Sequence, residues 1–208
     1  MCGGGLCGCL DIVALRPELR GAAASRDALA LADRLEELID EQSVSPKDRE
    51  AAYLAARKWP RKTAAYAYAR AVLAGRLAEI KGLSGVRLIA EVERWAKRSL
   101  EQDPAFRAGA ARRILGTLYV LAPASLLRDG DSEVGLELLE KQLELHPDDP
   151  VNQLRLAEGY VALGDPDPAY EFICEVVDRQ KALRPSERRL LASVVQSLGG
   201  RAELGCEG

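Results

Sequence analysis

The chain has 208 residues, of which 48% are hydrophobic and 29% charged, so it can bury a real core and does not read as a disordered polymer. Twenty-nine basic residues against 32 acidic ones leave a net charge of −3, which argues against a general nucleic-acid binder. No uninterrupted apolar run approaches the roughly 20 residues that a membrane-spanning helix needs.

Three of the five cysteines fall in the opening stretch MCGGGLCGC. Cys7 and Cys9 lack the two-residue spacer of zinc and thioredoxin-like motifs, and the one histidine, His146, is far along the chain, so a metal site is not expected. Leu6-Cys7-Gly8-Cys9 instead has the form of a lipobox, with Cys9 as the residue to be lipidated. The basic and apolar segments of a full secretory signal do not precede it, so residues 1–16 read as a lipoprotein-like remnant.

Helical periodicity takes over from there. Ala28, Leu31, Leu35, Leu38 and Ile39 recur at three- and four-residue spacing, which predicts a helix to about Glu41. Ser45-Pro46, with Asp48 in the first turn, starts a second helix, and Pro60 stops it near Trp59. A third runs from Thr63 to Gly82, and a fourth from about Ser84 to the Asp103-Pro104 stop. Nowhere do β-branched residues alternate convincingly. The expected fold is all-α, with roughly ten helices in irregular pairs over a single domain at 17–200 and a frayed tail at 201–208.

Pairing is clearest from Pro150 to Lys181, where Leu156-Ala157, Tyr160, Gly164, Ala169 and Ile173 follow tetratricopeptide spacing. Ala157 and Ala169 fall where two antiparallel helices come closest, and Tyr160 falls where it can wedge between neighbouring pairs. Asp167 with Pro168 is expected to start the second helix, with Ala169, Phe172, Ile173, Val176 and Val177 as its buried stripe. An earlier unit repeats the pattern with Leu115-Gly116, Tyr119, Gly135, Leu139 and Pro147. Its connection is longer by the segment VLAPASLLRDGDS. Ser186 is expected to cap a last helix. Cys174 reads as a small core residue, and the five cysteines suggest no disulfide framework.

The segment from Ala110 to Asp165 resembles the T-component family of TRAP-type (tripartite ATP-independent periplasmic) transporters. The resemblance rests on Arg113, Leu115-Gly116, Leu118-Tyr119, Ala122-Pro123, Gly130-Asp131, Pro147, Leu156-Ala157-Glu158 and Tyr160. It covers about the central hundred residues and is weak over the first sixty. It implies a periplasmic, lipid-anchored, non-enzymatic helical protein that can assemble into trimers around a pore or cavity. The implied partner is a periplasmic solute-binding protein and the implied cargo a small hydrophobic or anionic molecule. No cofactor and no catalytic residue come with it, and membrane attachment is through the lipid anchor only.

Candidate ligand-binding residues follow from chemistry and placement. Arg112, Arg113 and Arg155 can hold a carboxylate or pair with acidic neighbours, and Arg112 and Arg155 are read first as ordinary ion pairs. Tyr119 and Tyr160 line a cavity or wedge between helices. Tyr66 and Arg70, four residues apart on one helix face, point to a ligand or fill the core with Tyr68, Trp59 and Trp95. The cluster Arg57, Lys58, Arg61 and Lys62 is suited to anionic headgroups or to solvent. Glu36-Glu37 and Asp148-Asp149 read as exposed carboxylates. The alternative to the transporter-associated reading is a generic tetratricopeptide-like adaptor, cytoplasmic or periplasmic, that holds a peptide in a concave groove.

Overall fold

The computed structural model describes residues 15–206. The lipobox, Cys9 included, lies outside the described residues. Among those described, ten α-helices and no strand are found, so the chain is all-α. Contacts among the described residues fall into two compact units, divided between Phe106 and Arg107.

The first unit holds α1 (Pro17–Ala24), α2 (Ala28–Asp40), α3 (Pro46–Arg57), α4 (Ala64–Lys81) and α5 (Val86–Gln102). Local chemistry sets their starts. Asp27 accepts from the Leu29 and Ala30 amides, and Ser45 and Asp48 close a reciprocal capping box. Thr63 caps α4, and Gly82 ends it with a positive φ of 51°. Helix α4 is central: Ala67, Ala69, Leu73, Ala74 and Leu77 bury nearly its whole circumference against α2, α3 and α5. Glu36, expected exposed, instead takes a bidentate pair from Arg76 at 2.6 Å on both arms and ties α2 to α4.

The second unit holds α6 (Ala110–Leu121), α7 (Ser132–Leu145), α8 (Pro150–Ala162), α9 (Tyr170–Asp178) and α10 (Pro185–Ser197). Helices α6 and α7 cross where both carry glycine. A Cβ on Gly116 would lie 2.9 Å from the Gly135 carbonyl, and one on Gly135 would lie 2.9 Å from the Val120 amide. Ala157 and Ala169 are fully buried together in the core of α8, α9 and α10. Tyr160 packs against that core and also against the cluster of Val120, Leu139 and Leu156.

Three local expectations differ from what is found. Asp167-Pro168-Ala169 forms a short 3-10 turn and α9 begins at Tyr170, with no side-chain cap. Arg184, not Ser186, precedes α10: the Glu187 carboxylate accepts from the Arg184 amide and guanidinium. The tail is also not frayed as far as Cys206. Leu204 is buried in the second core, and Cys206 forms a disulfide with Cys174, 32 residues earlier. Cys174 is thus a cross-link, not just a small core residue. A loop of this length confers about 4 kcal/mol by restricting the unfolded chain.

The glycine crossing yields a signed test. Gly116→Ala should cost about 1–3 kcal/mol, because the new methyl meets backbone and the Leu139 side chain below contact distance. Gly21→Ala, exposed on α1 with open space around its Cβ position, should gain about 0.5–1 kcal/mol. Denaturant midpoints of the two variants, moving in opposite directions, check the reading.

Candidate functional site

Two places hold the residues that sequence chemistry singled out, one in each unit. In the first, Tyr66 and Arg70 lie one turn apart on α4 and are brought together as expected. The Arg70 guanidinium donates to the Tyr66 hydroxyl at 3.1 Å and to Glu91 of α5 at 2.8 Å. Tyr53 of α3 donates to the other Glu91 oxygen at 2.9 Å. Around the cation stand three rings: its central carbon is 4.9 Å from the Trp95 centroid, 5.7 Å from Tyr53 and 5.9 Å from Tyr66. Tyr66 and Trp95 meet edge to face at 5.5 Å.

Arg70 is only 5% exposed, so its charge has left most of the water behind. One carboxylate and three π faces replace that hydration. Burial, and then the hydrogen bond to Glu91, raise the Tyr53 pKa, so this phenol holds its proton and stays a donor. Arg70 Nε and Trp95 Nε1 are buried with no acceptor. The ring faces and the ion pair form a closed hub in which Tyr66 and Arg70 serve each other, and no free acid or base is presented. Glu93 is also fully buried, at 1% exposure, a buried acid that the sequence did not signal.

In the second unit the candidate arginines and Tyr160 are engaged by neighbouring side chains. Arg113 donates to Asp149 at 3.0 Å and to Asn152 at 2.6 Å, fastening α6 to the first turn of α8. Asn152 in turn donates to the His146 carbonyl at 3.0 Å, and Asp149 caps the Val151 amide at 2.9 Å. Arg112 donates to the amide oxygen of fully buried Gln142, which itself donates to the Ala108 carbonyl. That pairing holds the left-handed turn Arg107-Ala108-Gly109, whose φ values of 50°, 52° and 74° lead into α6. Arg155 pairs with Glu158 at 2.7 Å, the ordinary surface pair.

The motif residues of the lengthened connection have structural work as well. Tyr119 is buried with its ring against Gly130, where a Cβ would come within 2.2 Å of the ring. Asp131 caps α7 by accepting from the Val134 amide at 3.0 Å. Pro123 opens the 3-10 turn Ala124–Leu126 that carries the chain away from α6. Leu115, Leu156 and Ala157 are buried, and Pro147 sits exposed in the turn between α7 and α8. Beside it, a shallow depression of about 390 Å³ is lined by Ala108, Leu145, His146, Pro147, Asp148 and Asp149.

Tyr53, Glu91, Asn152 and Gln142 were not singled out beforehand, because each is contributed by a different helix from the residue it serves. The Cys174–Cys206 pair had a signal that went unused. Once the three N-terminal cysteines are set apart, two remain. Among the described residues, no three His, Cys, Asp or Glu side chains cluster as metal ligands. No protein-family model matches the chain, and no curated protein matches it either.

Two outcomes test this site description. Arg70→Met should cost about 3 kcal/mol by leaving Glu91 without its cation, and adding Glu91→Leu should recover part of the loss. Denaturant titration of the single and double variants decides. Tyr160 donates to Glu140 at 2.8 Å, and desolvation followed by that carboxylate pushes its pKa up to about 12. The neutral phenol therefore contributes stability that is complete below pH about 10 and lost as pH rises through about 12. An alkaline absorbance titration should show the tyrosinate step missing from Tyr160→Phe at about pH 12, not at about pH 10.

Proposed function

We propose that the chain is a non-enzymatic, extracytoplasmic binding protein of the kind its central segment resembles, a T-component-like partner of TRAP-type uptake. In this reading it is anchored through Cys9, docks a periplasmic solute-binding protein and assembles as a homotrimer. Its helical pairs enclose a passage for a small hydrophobic or anionic molecule. The observation that carries the reading is the way the Ala122-Pro123 and Gly130-Asp131 connection is built into the α6–α7 pair. Tyr119 packs beneath Gly130, and Asp131 caps α7, so the residues behind the resemblance act together as one architectural element. The Cys174–Cys206 disulfide supports the compartment, since such bonds persist in the periplasm and are rare in a reducing cytosol.

A second reading has its own support. Arg113, Arg155 and Tyr160 are all engaged with neighbouring side chains, which favours a tetratricopeptide-like adaptor over an anion passage built from these residues. One experiment separates the two. Affinity-tagged chain isolated from the native periplasm should carry a solute-binding protein in stoichiometric amount, and the complex should survive high salt. Recovery from the cytosol with Cys174 and Cys206 reduced, and with no solute-binding protein, would leave the adaptor standing.

A further inference from the structure

We infer that the basic and aromatic face of the first unit is a docking surface for an anionic lipid bilayer. Between Glu50 and Glu79 the sequence contains no acidic residue, although it carries Arg57, Lys58, Arg61, Lys62, Arg70 and Arg76. The structure sorts these cations. Arg70 and Arg76 are neutralised by Glu91 and Glu36. Arg57, Arg61 and Lys62 are exposed at the turn from α3 to α4 and close no ion pair with any described residue. Arg61 reaches only its neighbour's carbonyl, at Pro60.

Two more cations stand on α5 at the edge of the ring cluster. Arg57 lies over the Tyr53 ring at 5.4 Å, Tyr53 and Trp95 both flank Arg70, and Arg94 and Arg98 lie over Trp95 at 5.1 and 5.6 Å. Arg94 and Arg98 likewise close no ion pair with any described residue. Three cations without a carboxylate therefore crowd the α3–α4 turn, and two more flank Trp95 on α5, in a chain whose net charge is −3. That concentration is a field directed outward, since nothing within the described fold consumes it.

The chemistry selects a bilayer as the occupant. Trp59-Pro60 interrupts the four cations at the tip of the turn, and Trp59 is half-buried, with part of its ring left to meet an interface. An indole between lysines and arginines suits the headgroup layer, where the ring sits at the polar boundary and the cations meet phosphate. Arg57, Arg61 and Lys62 stand on long stems with no carboxylate partner among the described residues, which fits a diffuse anionic surface better than the set geometry of a carboxylate partner. The inference does not depend on the transport reading or on lipidation at Cys9. It requires only an anionic leaflet.

The test uses the purified, unlipidated full chain with sedimented vesicles. Binding is expected to phosphatidylglycerol-containing vesicles and not to pure phosphatidylcholine, and it should be reversed by high salt. The triple variant Arg57→Gln, Arg61→Gln, Lys62→Gln should weaken it by roughly a hundredfold, at about fivefold for each charge near the surface. Lys141→Gln, Lys181→Gln and Arg201→Gln, an equal charge loss in the second unit, should leave it nearly unchanged. Equal binding to both vesicle types, or equal loss in both triple variants, would overturn the inference. So would capture by immobilised polyglutamate with no vesicle binding, which would assign the face to an acidic protein instead. Vesicle binding would sustain it even where the affinity-tagged chain brings down no solute-binding protein.

Discussion

Helix α6 can lie against α7 only because neither helix carries a Cβ where they cross. Gly116 and Gly135 bring the two backbones close enough that a methyl on either would meet the other helix's backbone atoms below 3 Å. The neighbouring features depend on this approach. It lets Leu139 reach into the cluster of Val120 and Leu156, and it leaves Tyr119 room to turn its ring against Gly130. Alanine does similar work where α8 meets the turn before α9, with Ala157 and Ala169 both fully buried. A chain with only two phenylalanines packs by bringing backbones together rather than by filling space with rings.

Close packing leaves arginine as the residue that spans what remains. Arg76 joins α4 to α2, Arg113 joins α6 to α8, Arg112 holds a left-handed turn through Gln142, and Arg70 is enclosed by rings. The planar fork suits this use, because several donors in fixed directions can serve two helices at once. A buried guanidinium is costly unless its partners are all in place, so these cations act as registers for the helices they join. The consequence for function is that arginines in the second unit are spent on architecture. The unpaired cations described above sit together at the α3–α4 turn and on α5, in the first unit.

The disulfide and the charged turn are contrasting features of the chain, one closing its C-terminal segment and the other leaving cations without carboxylates. Cys174–Cys206 closes the C-terminal segment onto the α8–α10 core, with Leu204 buried beside it. A fold of many small helices, with modest burial per helix, gains from a covalent closure that restricts the unfolded chain. The T-component-like reading and the bilayer-facing surface are compatible with each other, and each stands on its own residues.

Helix boundaries were legible in the sequence because their signals are local. Ser45-Pro46 with Asp48, Thr63 and Gly82 act within a turn of their own positions, and the structure uses them all. The small-residue pattern of the helix pairs was legible for the same reason, since Gly116, Ala157 and Ala169 report a steric limit at their own Cβ. Two local readings failed where competing signals lay side by side: Asp167-Pro168 became a 3-10 turn, and Glu187 drew the cap back to Arg184. The partners of Arg70, Arg112 and Arg113 were beyond reach. Each donor's acceptor sits 21 to 39 residues away, on another helix. Whether an arginine is a ligand site or a brace depends on which carboxylate or amide the packing brings to it, and only the tertiary structure decides that.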